Sequence, residues 1–447
     1  MKIIYVIILT FGLLLTMTIL SCSEKKEAIN TEGGREWEKE IIQSEKVDRS
    51  YISSHDEPIF GLFSDYFTNV KYIKLETTLE SLVGVVSKLE VLNDGSFLIF
   101  DNFKGALYLF APDGKFLRHI GHRGKAHNEY ALPEQIAYDP YNDNIIVWDN
   151  AKKTLQYYDL DGEMIDSAKL PWDISTFDVV DKDHLCVYMN NGENLEKIKQ
   201  GFNYKIIDHN GNVIKQFVPY GEELTDFNPA SKTTLWRYGD TLYTMQPYSP
   251  LVSIVSSDTI TPLYCIDFGK NAIPDDFISG SNRDFNEKIK KRPDLAYSIR
   301  PYMIGDTLYF NSIKARIVDF VSYDTKSGTS KYLRGLINDI AGLVSSNEIR
   351  KASNRQLYFV IDPQSFESFR DILSANQVGT NIGKYIGKEF SDKIPILGLG
   401  DKAQNEFLKN LGKRYSETNL MLTSTDWELI NSIDESSNPI IQICTLK

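Results

Sequence analysis

Cysteine is scarce in this sequence: four in 447 residues, at positions 22, 186, 265 and 444. No two form a CxxC pair, so neither a disulfide framework nor a zinc site of paired thiolates is expected. Cys186, Cys265 and Cys444 each sit in an apolar run and read as small buried hydrophobes, a Cys186–Cys265 bridge being the alternative. HExxH, GxSxG and the phosphate-loop pattern are missing too, which removes the chemistries that depend on those spacings. An excess of positive charge is lacking as well. With 49 basic against 61 acidic residues and a net charge of −12, the chain offers no basic stripe, and no nucleic-acid partner is expected. Gly398-Leu-Gly400-Asp-Lys-Ala403 matches GxGxxA but stands outside any βαβ unit, so no cofactor is expected.

Long apolar runs are confined to the start. Met1-Lys2 is followed by Ile3 to Leu20, then by Ile19-Leu20-Ser21-Cys22. This resembles a lipobox, in which a peptidase cuts before a cysteine that then carries a diacylglycerol. About 18 apolar residues are also just enough to span a bilayer, but the charged segment straight after Cys22 suits a cleaved signal better. The expectation is a signal peptide over 1–21, lipidation of Cys22 and a polar tether over 22–50. Residues 51–447 then form the folded body. The resulting protein is a lipoprotein of the cell envelope, on the outer membrane, held to it by the lipid; which face it occupies stays open.

What the remaining sequence has in quantity is repetition. Asp113-Gly114, Asp161-Gly162, Asn210-Gly211 and Ser257-Asp258 each separate two β-rich runs, and Asp113, Asp161, Asn210 and Asp258 follow one another in steps of 48, 49 and 48. Such pairs flanked by strands are hairpin signals. A fifth turn, Lys326-Ser327-Gly328, follows after a longer step. Phe97–Asp101, Ile145–Asp149, Leu242–Met245 and Thr307–Asn311 keep the same phase as inner strands. A unit of several short strands at this period predicts an all-β fold, a six-bladed β-propeller; five or seven blades are the alternatives. The sixth blade needs Gln356–Ile361 and a terminal strand, with Pro439–Leu446 or Val70–Leu75 closing the ring. Helical insertions are expected at about 274–292 and 364–430.

The stretch Gly121 to Asp139 carries glycines, Tyr130, Pro133 and Ile136-Ala137-Tyr138-Asp139, and runs into Asn144 to Asp159. It resembles an NHL repeat. Over its whole length the chain resembles the six-bladed propeller lipoproteins of Bacteroidetes, with Val70–Glu76 and Asn438–Ile443 adding to the likeness. The resemblance implies a ligand-binding face, and in some relatives an enzymatic or metal site on the axis.

His119, His122 and His127, half of the six histidines, fall on one crossing between units. No further ligand recurs at the blade period, so no metal is expected. Asp101, Asp139 and Asp149 recur in phase and suit turn capping better than catalysis. Arg118, His122, Arg123, His127, Glu129 and Tyr130, with Trp236 and Arg237 further on, are the candidate ligand-binding residues; Trp148 suits inter-blade packing equally. Two functions follow. The first is a membrane-anchored extracytoplasmic scaffold that binds a protein, peptide or glycan. The alternative is a hydrolase or lyase with its site at the axis.

Overall fold

In a computed structural model, the described residues are 48–52, 59–193, 201–220, 227–229, 234–278, 280–314, 317–341, 343–393 and 402–447. They form six blades, each with four antiparallel strands and one of them extended by a fifth, together with a small two-stranded sheet. Blade 1 comprises Lys88–Val91, Phe97–Asp101, Ala106–Phe110 and Phe116–His119. Blade 2 comprises Pro133–Asp139, Asn144–Asp149, Thr154–Tyr158 and Met164–Lys169. Blade 3 follows as Thr176–Val179, His184–Tyr188, Gly201–Asp208 and Val213–Tyr220. Blade 4 is Leu235–Tyr238, Thr241–Thr244, Leu251–Val255 and Ile260–Asp267. Blade 5 is Ala296–Ile304, Thr307–Lys314, Ile317–Asp324 and Thr329–Leu333. Blade 6 takes Lys351–Ser353 and Gln356–Ile361 from late in the chain, Ile440–Leu446 from its end and Phe67–Lys74 from near its start.

Both terminal segments anticipated for closure are used, and they pair with each other: Ile440 lies opposite Lys74 and Thr445 opposite Asn69. Asn438, fully buried, fixes the seam. Its amide accepts from Val83 N–H (2.7 Å) and donates to the carbonyls of Glu76 and Ser81, both at 2.7 Å. An Asn side chain offers one acceptor and two donors, and here all are engaged.

The strands anticipated as inner ones, such as Phe97–Asp101 and Asn144–Asp149, are the second of each blade and are buried throughout. Both faces of such a strand are covered by neighbouring blades, so the sequence reads as a continuous apolar run rather than alternating. Separate apolar clusters fill the gaps; Leu98, Leu107, Ile136 and Tyr158, for example, pack between blades 1 and 2.

The repeated turn pairs join the third strand to the fourth. In blades 1–3 the glycine alone has positive φ, at 89°, 89° and 84°. The register shifts in the flanking strands of each hairpin, as a glycine bulge requires. The glycine is needed for a second reason. A Cβ on Gly114 would stand 2.3 Å from the Lys74 carbonyl oxygen, and one on Gly162 2.7 Å from that of His119. The outgoing strands of blades 6, 1 and 2 therefore cross directly over the turns of blades 1, 2 and 3, and Gly121 N–H donates to the Gly162 carbonyl at 3.2 Å.

Residues 48–50, anticipated as the end of the tether, belong to a strand. Asp48–Tyr51 adds to blade 4 as a fifth strand, parallel to Tyr264–Asp267. Phe60–Leu62 then pairs in parallel with Gly335–Ile337 beyond blade 5. The chain thus straps two blades before closing the sixth.

The crossing insertion at 274–292 forms a helix over Asn282–Lys291, N-capped by Ser281. Among its described residues the blade 6 insertion holds four α-helices, Pro363–Ile372, Gly383–Lys393, Lys402–Glu417 and Ser424–Ser432. These have their own apolar centre, in which Phe366, Ile382, Ile386, Leu422 and Ile430 are buried. Among the described residues no helix is long and apolar enough to cross a membrane, and Cys186, Cys265 and Cys444 are buried without a disulfide bond.

Candidate functional site

Within each antiparallel blade, the loop between strands two and three opens on the same face as the crossing to the next blade. We call this the crossing face. It carries both helical insertions and the 120–132 segment, and the first strand of every blade descends from it along the axis.

The first strands bring ionisable groups together at the axis. Glu90 pairs with Lys88 at 3.1 Å and with Lys351 of blade 6. Burial alone would raise its carboxyl, but the two ammonium groups win and hold it down at about 2. Glu348 pairs with Arg350 at 3.2 Å and with Arg300 at 3.6 Å. The cations also reach backbone carbonyls of adjoining blades. Lys88 donates to Ile136 (2.7 Å), Arg300 to Ile349 (3.3 Å), Arg350 to Val86, and Arg237 to Val179. A first strand has no neighbour on its axial side, so its edge carbonyls need donors. The axial charges supply them, linking blade 1 to 2, 4 to 3, 5 to 6 and 6 to 1.

On the crossing face, Asp101 and Asp149 do equivalent work in blades 1 and 2. Both are fully buried. Asp101 accepts from Phe103 and Lys104 N–H in its own turn (both 3.0 Å) and from Gly84 (2.7 Å) and Val85 (3.1 Å) in the incoming crossing. Asp149 accepts from Ala151 (3.1 Å) and Lys152 (3.2 Å), and from Ala131 (2.6 Å) and Leu132 (3.1 Å). Each carboxylate thus anchors four backbone donors and welds a loop to a crossing. Asp139 caps its own turn through Tyr141 and Asn142 N–H, at 2.9 and 3.1 Å. The capping role read for these aspartates is what the geometry displays.

The candidate ligand-binding residues divide into three groups. His122, Arg123 and His127 stand exposed on the 120–132 crossing. Glu129 and Tyr130 belong to the same segment but hold it together: Ala126 N–H donates to the Glu129 carboxylate at 2.8 Å, and buried Tyr130 donates to the Ile120 carbonyl at 3.1 Å. Arg118 lies on the outermost strand, where it pairs with Asp161 in the turn of blade 2. Trp236 and Arg237 sit on the first strand of blade 4, away from that crossing. The Trp236 ring is buried and stacks on Tyr243 at 5.9 Å, with Nε1 donating to the Pro301 carbonyl at 3.0 Å. Arg237 lies over the Tyr141 ring at 5.4 Å as well as on Val179. Among the described residues no group of three or more His, Cys, Asp or Glu is arranged to hold a metal ion. His119 and His122 approach with ring centres 6.3 Å apart, and His119 Nε2 meets the Glu80 carbonyl at 2.9 Å. Cys22 and the GxGxxA segment from 398 to 401 lie outside the described residues.

Sequence reasoning did not find the axial set. Lys88, Glu90, Arg300, Glu348, Arg350 and Lys351 are scattered over the chain, and the signal available was only that short apolar strands carried isolated charges.

Six four-stranded blades, closed by a seam that pairs Ile440–Leu446 with Phe67–Lys74, define the class: a six-bladed β-propeller. The chain belongs to the family described as domain of unknown function DUF4934, which matches residues 56–397. No protein of curated function matches it. Among solved structures, it is similar to a protein of Bacteroides fragilis described as exported, with 17% identity, a TM-score of 0.64 and coverage of 89% of this chain and 99% of that one. A DUF4221 family member from Bacteroides vulgatus is 11% identical over 60% of this chain and 84% of that one, with a TM-score of 0.43. Virginiamycin B lyase of Staphylococcus aureus is 12% identical over 65% and 81%, with a TM-score of 0.33. At 17% identity the likeness to the Bacteroides fragilis protein is one of fold.

Proposed function

We propose that the protein is an exported, lipid-anchored binding or scaffold propeller of the cell envelope, with an NHL-like crossing between blades 1 and 2, that presents its crossing face to a protein, peptide or glycan. One observation carries this reading. At the axis Glu90 and Glu348 are held in ion pairs, Asp178 accepts the Val179 N–H, and the cations reach backbone carbonyls of adjoining blades, whereas His122, Arg123 and His127 stand in solvent on a crossing pinned by Asp149. A hydrolase or lyase acting at the axis would need carboxylates free to move protons; Glu90, held between two ammonium groups, is a poor proton carrier near neutral pH. Anchoring is supported by the Ser21-Cys22 junction after the apolar run, and export by the description of the Bacteroides fragilis protein. The test is metabolic labelling with an alkyne fatty acid followed by membrane fractionation. The wild type is expected to take up label and sediment with membranes, and Cys22→Ala to do neither; label on the Cys22→Ala variant would refute the anchor.

A further inference from the structure

We propose that the crossing face of blades 1 and 2 is a docking surface for an acidic peptide segment that also carries large apolar side chains. The inference rests on the binding-propeller reading and names the ligand class for one part of that face.

Four large apolar side chains stand in solvent here: Phe103 is 73% exposed, Leu132 42%, Leu82 38% and Val85 37%. Scattered exposed hydrophobics are ordinary, but a contiguous group on a folded surface marks an interaction site. These four come from three segments, and the structure fastens the segments together. Asp101 accepts both Val85 and Phe103 N–H. The Lys104 ammonium donates to the Leu82 carbonyl at 2.7 Å. Gly105 admits the third segment, since a Cβ there would lie 3.3 Å from Arg123 Cδ and 3.5 Å from Pro133 Cγ. Phe103 is therefore held out by a loop whose backbone is anchored on a buried carboxylate. A partner meets a preorganised surface and bears little ordering cost.

The charge around the patch selects the partner. The loop 102–105 and the crossing 120–128 together carry Lys104, Arg123 and Lys125 and no Asp or Glu, in a chain where acids outnumber bases 61 to 49. His122 and His127 add further cationic capacity. Glu129 is turned inward onto Ala126 N–H and Glu134 accepts from Asn150 Nδ2 at 2.8 Å, while exposed Glu80 stands at the margin of the patch. Apolar anchors ringed by cations match a segment of opposite charge with side chains to lay on Phe103 and Leu82. A purely polar anion would leave the apolar group uncovered.

The mature full-length protein tests this by fluorescence anisotropy with a labelled dodecapeptide of Glu-Phe-Asp-Leu repeats, set against its Glu-Ser-Asp-Ser counterpart, polygalacturonate and phosphatidylglycerol vesicles. The apolar acidic peptide is expected to bind at least about tenfold more tightly than its serine counterpart and to weaken with salt. Phe103→Ser and Arg123→Glu should each lower its affinity about tenfold, while Ile165→Ser, on an outer strand of blade 2, leaves it unchanged. Circular dichroism of each variant confirms folding. Equal binding of both peptides, indifference to Phe103→Ser, or preference for polygalacturonate or vesicles would overturn the assignment. Polygalacturonate binding elsewhere on the propeller would sink this site while leaving the binding-propeller reading intact.

Discussion

Replacing Asp149 by alanine removes one side chain and orphans four backbone donors. The carboxylate is fully buried and accepts N–H groups from Ala131, Leu132, Ala151 and Lys152. An unsatisfied buried polar group costs about 1–3 kcal/mol. Ala151 and Lys152 lie in an open turn where water replaces much of the loss, whereas the Ala131 and Leu132 bonds also hold the crossing in place. The expected destabilisation is about 3 kcal/mol. Asp161 provides the contrast: its side chain is 79% exposed and its partner Arg118 is on the surface, so Asp161→Ala should cost less than about 1 kcal/mol. Because Asp101 repeats the four-donor geometry, Asp101→Ala should match Asp149→Ala to within about 1 kcal/mol. Urea unfolding followed by circular dichroism and tryptophan fluorescence measures all three. Equal midpoints for Asp149→Ala and Asp161→Ala would refute the claim that buried aspartates weld crossings to loops.

Gly162→Ala should cost about 2–4 kcal/mol, combining positive φ with the approach of the His119 carbonyl, whereas Gly239→Ala, at positive φ in open space, should cost about 1 kcal/mol; similar urea midpoints would contradict the rim packing. Glu90, held down at about 2 against an ordinary 4.5, contributes stability above pH 4.5 that is lost as pH falls toward 2, and Glu90→Gln should flatten that acid limb in urea midpoints measured against pH. Asp319 has the opposite sign. Burial outweighs Arg334 and raises its carboxyl to about 7, so stability should decline as pH rises from about 4 to 7, and an Asp319→Asn variant retaining that decline would refute the assignment. Burial also pushes the Cys186 and Cys444 thiols up, so neither should react with iodoacetamide in the native protein at pH 8; rapid modification would contradict their place in the core.

The ring was legible because each blade repeats the same local chemistry. Asp113-Gly114 and Asp161-Gly162 announce a turn by the conformational freedom of glycine alone, and their spacing counts blades. The second role of those glycines, leaving room for Lys74 and His119, was hidden because it depends on residues about 40 positions away. The aspartates were legible by half: capping of their own turns is local, while their hold on Gly84–Val85 and Ala131–Leu132 is not. Residues 48–51 carry too little apolar sequence to signal a strand, and they form one only because blade 4 offers an open edge. On the candidate site, His122 and Arg123 could be placed on an exposed crossing from the glycines around them. Arg118 and Trp236 have the same residue chemistry, but the outward strand of blade 1 and the packing between blades 4 and 5 direct them to Asp161 and Pro301. Phe103 was missed because a lone aromatic in a short loop looks like core until its burial is known.

The most direct test of the binding-face account is photocrosslinking in living cells of the parent organism, with benzoylphenylalanine placed at Phe103 or, as a control, at Ile165. The account predicts a discrete protein adduct from position 103 that Arg123→Glu abolishes, and none from position 165. Equal adducts from both positions, or an adduct at 103 that survives Arg123→Glu, would contradict it.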